Sequence, residues 1–375
     1  MKRELERIEI PGAREAEERA WGVVERAALE RLPVDARRTR LLRPLFVVVA
    51  IAVLAGAVAS PPGRAVIDHV RRVVGVELAA PALFRLPAAG RLLVASDSGI
   101  WVVQADGSRR LLGAYREASW SPFGRFVVAA RRNELATLEP DGTVRWSLAR
   151  PDVRFPRWAG GATDTRIAYL AGNRLHVVAG DGTEDADAGG LPAAALVAPA
   201  WRPGEGFVVA YANTRGRVFP YDTRGSSFWI APPQSAPLPA PRTLEWSGDG
   251  RRLVMRTADK IVIFGPGSGT PLSVQFTRVV VGVAFRPGTH ELAAISRPGE
   301  VSQVTLGNRV LFSFAGELRG LTWSPDGRWL LVGSPESDQW VFIRADGRKI
   351  AAVSNISAQF RSRTFPRVEG WCCSE

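Results

Sequence analysis

Histidine, cysteine and lysine are all scarce in this chain, and each scarcity removes a class of chemistry. Its three histidines, His69, His176 and His290, are scattered, and no G-x-S-x-G elbow accompanies them. A Ser-His-Asp hydrolase therefore has no base to set beside a nucleophile, and three isolated imidazoles make a poor metal set. The two cysteines, Cys372 and Cys373, are adjacent, which is not a metal-ligand spacing. The remainder of the chain has none, so its core does not depend on disulfides. The pair itself is incidental, a vicinal disulfide or an intermolecular bridge. Lysine occurs only at Lys2, Lys260 and Lys349, although Lys+Arg total 49 against 37 Asp+Glu, so arginine carries the net charge of +12. A high-GC coding bias accounts for this composition. The functional reading is attraction to polyanions such as acidic wall polymers or anionic lipids. No Lys/Arg run within the later sequence supports a nucleic-acid groove. No phosphate-binding loop or dinucleotide fingerprint occurs, and no cofactor is expected.

Long apolar runs are also absent, with one exception that organises the chain. Leu41 to Ser60 reads LLRPLFVVVAIAVLAGAVAS, unbroken in apolar residues from Leu45 to Ala59. We expect a transmembrane helix over 41–60. Fifteen residues cover only about 22 Å at the helical rise, short of the ~30 Å hydrocarbon core, so Leu41 and Leu42 extend it while Arg43 snorkels to the interface. Arg37, Arg38, Arg40 and Arg43 on the near side place the N-terminus in the cytoplasm and the C-terminus outside. A cleaved signal peptide would use Ala57-Val58-Ala59, but the preceding segment is too long and acidic for an n-region.

Residues 1–40 form the expected cytoplasmic segment, with an amphipathic helix over 13–32 that Pro33 ends. Trp21, Val24, Ala28 and Leu32 share one face of it and form a candidate face for a cytoplasmic protein partner. The alternative is a solvated spacer with an accidental stripe. After Pro61-Pro62-Gly63, residues 61–80 read as a juxtamembrane linker helix, interfacial or plain.

From 81 to 375 the chain repeats itself. WSPFGRF at Trp120, WSGDGRR at Trp246 and WSPDGRW at Trp323 are the clearest copies. WRPGEGF at Trp201 and FRPGTHE at Phe285 are weaker, and those at Trp158 and Phe84 are looser. The anchor aromatics Phe84, Trp120, Trp158, Trp201, Trp246, Phe285 and Trp323 recur at a period of about forty, the size of a four-stranded propeller blade. Each copy has an aromatic that ends one strand, a Pro/Asp/Gly turn, two hydrophobic strands and a second tight turn. In four copies that second turn is an Asp-Gly dipeptide: Asp106-Gly107, Asp141-Gly142, Asp181-Gly182 and Asp346-Gly347. The expected fold is all-β, a β-propeller of about seven four-stranded blades, with the anchor aromatics in the inter-blade core. Six or eight blades stay open, because the first unit is degenerate and the tail from Phe360 to Trp371 offers a closing strand.

The W-S-P-D-G-R unit followed by a strand and a D-G hairpin resembles bacterial TolB-like propeller repeats, relatives of the WD-repeat class. The resemblance implies a binding or scaffolding platform and carries over no catalytic residues. The layout of short cytoplasmic helix, span and exported domain is similar to membrane-anchored proteins of high-GC Gram-positive bacteria, some of which resemble anti-sigma regulators. Ser96-Asp97-Ser98-Gly99-Ile100-Trp101 resembles the Asp-box of sialidase-type propellers, with the spacing off by one. The acidic loop Asp181 to Asp187 is either a cation-binding loop or a solvated blade connection, and it lacks the downstream bidentate Glu of an EF-hand.

The reading that follows is a single-pass membrane protein whose extracytoplasmic propeller is a non-enzymatic protein- or ligand-binding module, with signalling through a cytoplasmic partner. A plain envelope scaffold and a glycan-acting hydrolase are the alternatives. A deep acid-lined central cleft would favour the hydrolase, and an arginine-lined one would oppose it.

Overall fold

A computed structural model of the chain describes residues 79–80, 85–161, 164–188, 192–193, 196–204, 207–213, 217–223, 241–265, 271–276 and 279–373. The expected cytoplasmic helix with Trp21, Val24, Ala28 and Leu32, the span 41–60, residues 61–78 of the juxtamembrane segment, and Phe84 lie outside them. Among the described residues no helix is long and apolar enough to cross a membrane.

Seven antiparallel sheets follow one another along the chain, and they are the blades of a propeller. Blades two, three, five, six and seven begin with the inner strands Glu117–Trp120, Val153–Gly160, Thr243–Trp246, Val280–Phe285 and Arg319–Trp323, and each adds three strands outward in chain order. Blade four, beginning at Ala200–Trp201, shows three strands among the described residues. Each inner strand contacts the next, and the ring is complete. Ala79–Ala80 runs as a short parallel strand along the outer edge of blade seven.

Blade one is built differently. Its inner strand is Arg367–Cys372, from the C-terminus, paired with Arg91–Ser96. Trp371 sits opposite Leu92 in the register that sets Trp120 opposite Val127, Trp246 opposite Leu253 and Trp323 opposite Leu330. The anchor position of blade one is therefore held by Trp371. Aspartates staple the approach to this strand. Asp338 accepts the amide and hydroxyl hydrogens of Ser357, at 2.8 and 2.7 Å, at the start of the short helix Ile356–Gln359. Asp97 accepts from the amides of Arg363 and Thr364 and from the Thr364 hydroxyl. The Thr364 hydroxyl and these amides hold the Asp97 carboxyl down at about 2.

The core is seven separate clusters, one per blade interface. Alternation along the strands explains why their hydrophobic runs are continuous rather than interrupted by polar residues. Leu92 and Val94 face blade seven, while Leu93 and Ala95 face blade two. Each anchor aromatic fills the interface with the preceding blade. Trp120, Trp246, Phe285, Trp323 and Trp371 each belong to one of five clusters this way, with Trp158 and Trp201 packed against the other two. At Trp201, Trp323 and Trp371 the indole N–H also donates to a carbonyl at the interface: Arg157 O, Ala284 O and Ala89 O.

The turns obey local chemistry. Asp106, Asp141, Asp181 and Asp346 each accept from the amide two residues on, and the following glycines take φ of +86°, +96°, +90° and +74°. In blades five and seven the serine of the W-S-x-D-G turn donates to the aspartate and accepts the amide of Arg252 or Trp329.

Among the described residues an arginine clasp recurs three times, crossing from one blade to the next. Arg91, Arg202 and Arg286 donate to the carbonyls of Gly124, Gly250 and Gly327 at 2.7, 2.9 and 2.9 Å. Their guanidinium carbons lie 5.1, 5.7 and 5.8 Å from the ring centres of Trp120, Trp246 and Trp323, in cation–π range. The arginines of the weaker W-R-P-G and F-R-P-G copies are thus the partners of the strong copies that follow. The closing-strand cysteines, Cys372 and Cys373, form a vicinal disulfide against the turn of blade two, beside Ser121 O and Pro122 O.

Trp371→Ala should destabilise the full chain by about 3–5 kcal/mol, the usual cost of emptying a large aromatic site. A urea unfolding midpoint that does not move would show that blade one closes without this contact.

Candidate functional site

The two ends of the propeller differ. One end gathers the connections between successive blades and the hairpins between second and third strands. Three cavities of about 610, 750 and 250 Å³ open there, and all three are lined by Arg367. Arg116 lines the two larger ones. We treat this mouth as the candidate site.

Its elements come from distant parts of the chain. Asp97 and Ser96 belong to the hairpin of blade one, and Tyr115 and Arg116 to the connection into blade two. Arg132 sits in the hairpin of blade two, while Asp152 to Phe155 lead into blade three. Arg363 to Arg367 lead into the closing strand, and Arg319 begins the inner strand of blade seven.

Six arginines collar the mouth, and half of them are neutralised. Arg367 pairs with Glu369 at 2.6 Å, Arg319 with Glu317 at 2.7 Å and Arg154 with Asp152 at 3.1 Å. The guanidinium groups of Arg116, Arg132 and Arg363 have no carboxylate partner among the described residues, and all three residues are exposed. Among the cavity-lining residues these three unpaired guanidiniums face the one unpaired surface carboxylate of Asp97. Apolar surface accompanies them: Leu196 on the rim of the largest cavity is 78% exposed, and Phe155 and Phe365 line the walls. Phe155 holds φ of +50°, a conformation an aromatic residue rarely adopts, at an irregularity in the pairing of the first two strands of blade three.

Carboxylates bridge neighbouring inner strands in the channel wall. Glu117 accepts the amide hydrogen of Phe155, and Glu245 accepts that of Phe285 at 2.8 Å. Burial raises the Glu117 carboxyl, the Phe155 amide opposes that, and Glu369 raises it further. Burial pushes Glu245 from 4.5 up to about 7, against the opposing bond from Phe285. Arg256, which donates to Thr243 and to Val280 O, is lowered by burial to about 10. Both acids are committed to backbone amides, and Glu369 to Arg367, so these carboxylates serve the channel wall.

The described anchor aromatics lie between the blades. Trp158 lines a cavity at the opposite end. The Asp-box-like segment is a hairpin whose Trp101 indole donates to the hydroxyls of Ser96 and Ser98, with Asp97 turned to the closing connection. In the acidic loop, Asp185 accepts from Tyr169 and Arg150, both at 2.6 Å, and Asp187 from Arg174. His176 stacks on Tyr169 and His290 lies at the surface beside Asp249. Sequence reading missed the collar, because its six arginines come from five separate segments of the chain. Its one sequence signal was the preference for arginine itself.

No protein-family model matches the chain, and no curated protein matches it. Among solved structures, the β-propeller domain of Cps50 (Swd1) from Myceliophteria thermophila is similar at 10% identity and a TM-score of 0.52, over 64% of this chain and 86% of that one. At that identity the likeness supports the propeller fold alone. A chain of the mitotic checkpoint complex (13% identity, TM-score 0.49, 63% of this chain and 77% of that one) and hydrazine synthase of Kuenenia stuttgartiensis (13%, 0.44, 61% and 76%) are more distant, and no argument rests on them.

Because Glu245 titrates at about 7 when folded and near 4.5 otherwise, its neutral form stabilises fully below pH 4.5, and that contribution is lost as pH rises through 7. Glu245→Gln keeps the acceptor and removes the titration. It should be more stable than the parent at pH 9, on the order of 1–3 kcal/mol, with the gap closing by pH 5. A gap independent of pH in denaturant titrations would refute the assignment.

Proposed function

We propose that the chain is a non-enzymatic binding module whose arginine-collared mouth receives an acidic protein segment carrying an apolar anchor residue. The observation that carries this is the set of three unpaired guanidiniums, Arg116, Arg132 and Arg363, beside the exposed Leu196 and the strained Phe155. Guanidinium groups recognise carboxylates in a planar, bidentate way, and rim charges of one sign speed and select the encounter. The same charge pattern speaks against a glycan-acting hydrolase, which needs two carboxylates free to act on a substrate.

In this proposal the propeller is extracytoplasmic, tethered by the 41–60 span, and its relation to TolB-like platforms rests on the W-S-P-D-G-R repeat. The Trp21, Val24, Ala28 and Leu32 stripe docks a second protein on the cytoplasmic side, giving an anti-sigma-like signalling arrangement. Without that second partner the chain is an envelope scaffold.

The test is recovery of the tagged full chain from native membranes with its bound molecules. Charge reversal at all three free arginines (R116E, R132E, R363E) should lower capture of an acidic outer protein at least tenfold, as should raised salt. Trp21→Asp with Val24→Asp should release a different, cytoplasmic protein and leave the outer one bound. Recovery of an anionic wall polymer in place of a protein would reassign the ligand. Equal capture by the triple variant would eliminate the mouth as the site.

A further inference from the structure

The end of the ring opposite the mouth carries two turns per blade, one between the first and second strands and an outer one between the third and fourth. Charge is unevenly spread over it. From the outer turn of blade six through blades seven and one to blade two (residues 307–309, 324–328, 344–349, 85, 104–110, 121–126 and 139–145), these turns hold ten basic residues against five acidic ones. One of the ten, Arg109, turns away to Gln359. The outer turn of blade three is the acidic exception, with Asp181 and Glu184. Three of the five acids are shared with an arginine: Glu139 with Arg145, Asp326 with Arg328 at 4.0 Å and Asp346 with Arg344 at 3.4 Å. Asp106 and Asp141 accept turn amides. Arg125, Arg348 and Lys349 are exposed and have no carboxylate partner among the described residues.

Exposed apolar side chains gather at the same end. Of the eight large hydrophobic residues exposed among the described residues, five lie there. Phe123, 57% exposed, sits at the tip of the first turn of blade two, where blades five and seven have Asp249 and Asp326. Leu111, Val144, Leu272 and Val310 stand within three residues of the start of outer strands, just past the outer turns. Three of these four have an exposed arginine as immediate neighbour: Arg110, Arg145 and Arg309. The strand Ala79–Ala80 runs parallel to Ile350–Ser354, which leaves the outer turn of blade seven, so the chain enters the ring from this end too. A soluble polyanion would pair with the cations and leave the apolar side chains in water. An anionic lipid surface takes both, because guanidinium groups meet its phosphates while apolar side chains reach the boundary of its acyl chains.

We infer that this end of the propeller lies on an anionic lipid surface, with Arg125, Arg348 and Lys349 on the headgroup phosphates and Phe123, Val144 and Val310 at the acyl boundary. The contact runs over blades six, seven, one and two, and the acidic turn of blade three stays off the lipid. The mouth, at the other end, remains open to its own partner. This surface is separate from the mouth, and its test is separable from the proposed 41–60 span.

The test reconstitutes the full chain into vesicles of phosphatidylcholine, alone or with about one-third phosphatidylglycerol, and follows amide hydrogen exchange by mass spectrometry. In the anionic vesicles, exchange in the turns 121–126, 139–145 and 344–349 should slow by about fivefold or more, since each cation at such a surface contributes about a fivefold preference. Raised salt should reverse the slowing. The mouth hairpins 132–133 and 335–338 should exchange alike in both vesicles. The R125E/R348E/K349E variant should lose the slowing, and Phe123→Ser should weaken it. The mouth variant R116E/R132E/R363E, with the same change in net charge, should keep it. Equal exchange in the two vesicles, equal slowing at the mouth hairpins, or slowing that either R125E/R348E/K349E or Phe123→Ser leaves intact would overturn the inference. Failure of the chain to enter neutral vesicles would count against the span alone. Both kinds of vesicle are then added to the chain in solution, where slowing with the anionic kind only would still support this surface and its absence would overturn it.

Discussion

Everything in the ring depends on one pairing, that of Arg91–Ala95 with Arg367–Cys372. No blade can bury both faces alone, so the seven interfaces are mutually dependent. Blade one lends a face to blade seven through Leu92 and Val94 and another to blade two through Leu93 and Ala95. Without its inner strand, Trp371 leaves the interface with Phe342, its edge-on partner at 5.8 Å, and two of the seven clusters open to water. Asp97 and Asp338 matter for the same reason: they fix the connection that delivers this strand.

Arginine does two kinds of work here, and lysine would suit neither. Between blades, a planar guanidinium lies over an indole and directs a donor at a glycine carbonyl; a lysine ammonium offers no such plane. At the mouth, paired arginines are each neutralised by an acid two residues away, while unpaired ones face solvent. The composition that looked like a coding bias is therefore used structurally at Arg91, Arg202 and Arg286.

Local chemistry was legible in the sequence, and distant pairing was not. The Asp-Gly hairpins and the W-S-x-D-G turns fall where their residues required them, because each is decided within a few positions. The periodic aromatics marked six of the seven blade anchors that the register defines. Blade one was left open: Phe84 lies outside the described residues, and the tail that the sequence offered as a closing strand sets Trp371 in the anchor slot opposite Leu92, far away in the chain. Nothing local to Trp371 marks it, since R-V-E-G-W-C lacks the turn that follows the other anchors. The collar was hidden for a related reason. Arg116, Arg132 and Arg363 meet only because successive blade connections converge at one end of the ring.

The closing strand also imposes an order on biogenesis. Six blades can form from segments already next to one another, but blade one cannot pair Arg91–Ala95 until Arg367–Cys372 has been synthesised. Until then Leu92, Leu93 and Val94, all fully buried in the finished ring, stand as an unpaired hydrophobic edge. Contacts between such distant segments are slow to find, so the nascent chain carries that edge through most of its synthesis. A strand that seals the ring last makes the pairing of Arg367–Cys372 the step on which two interfaces wait.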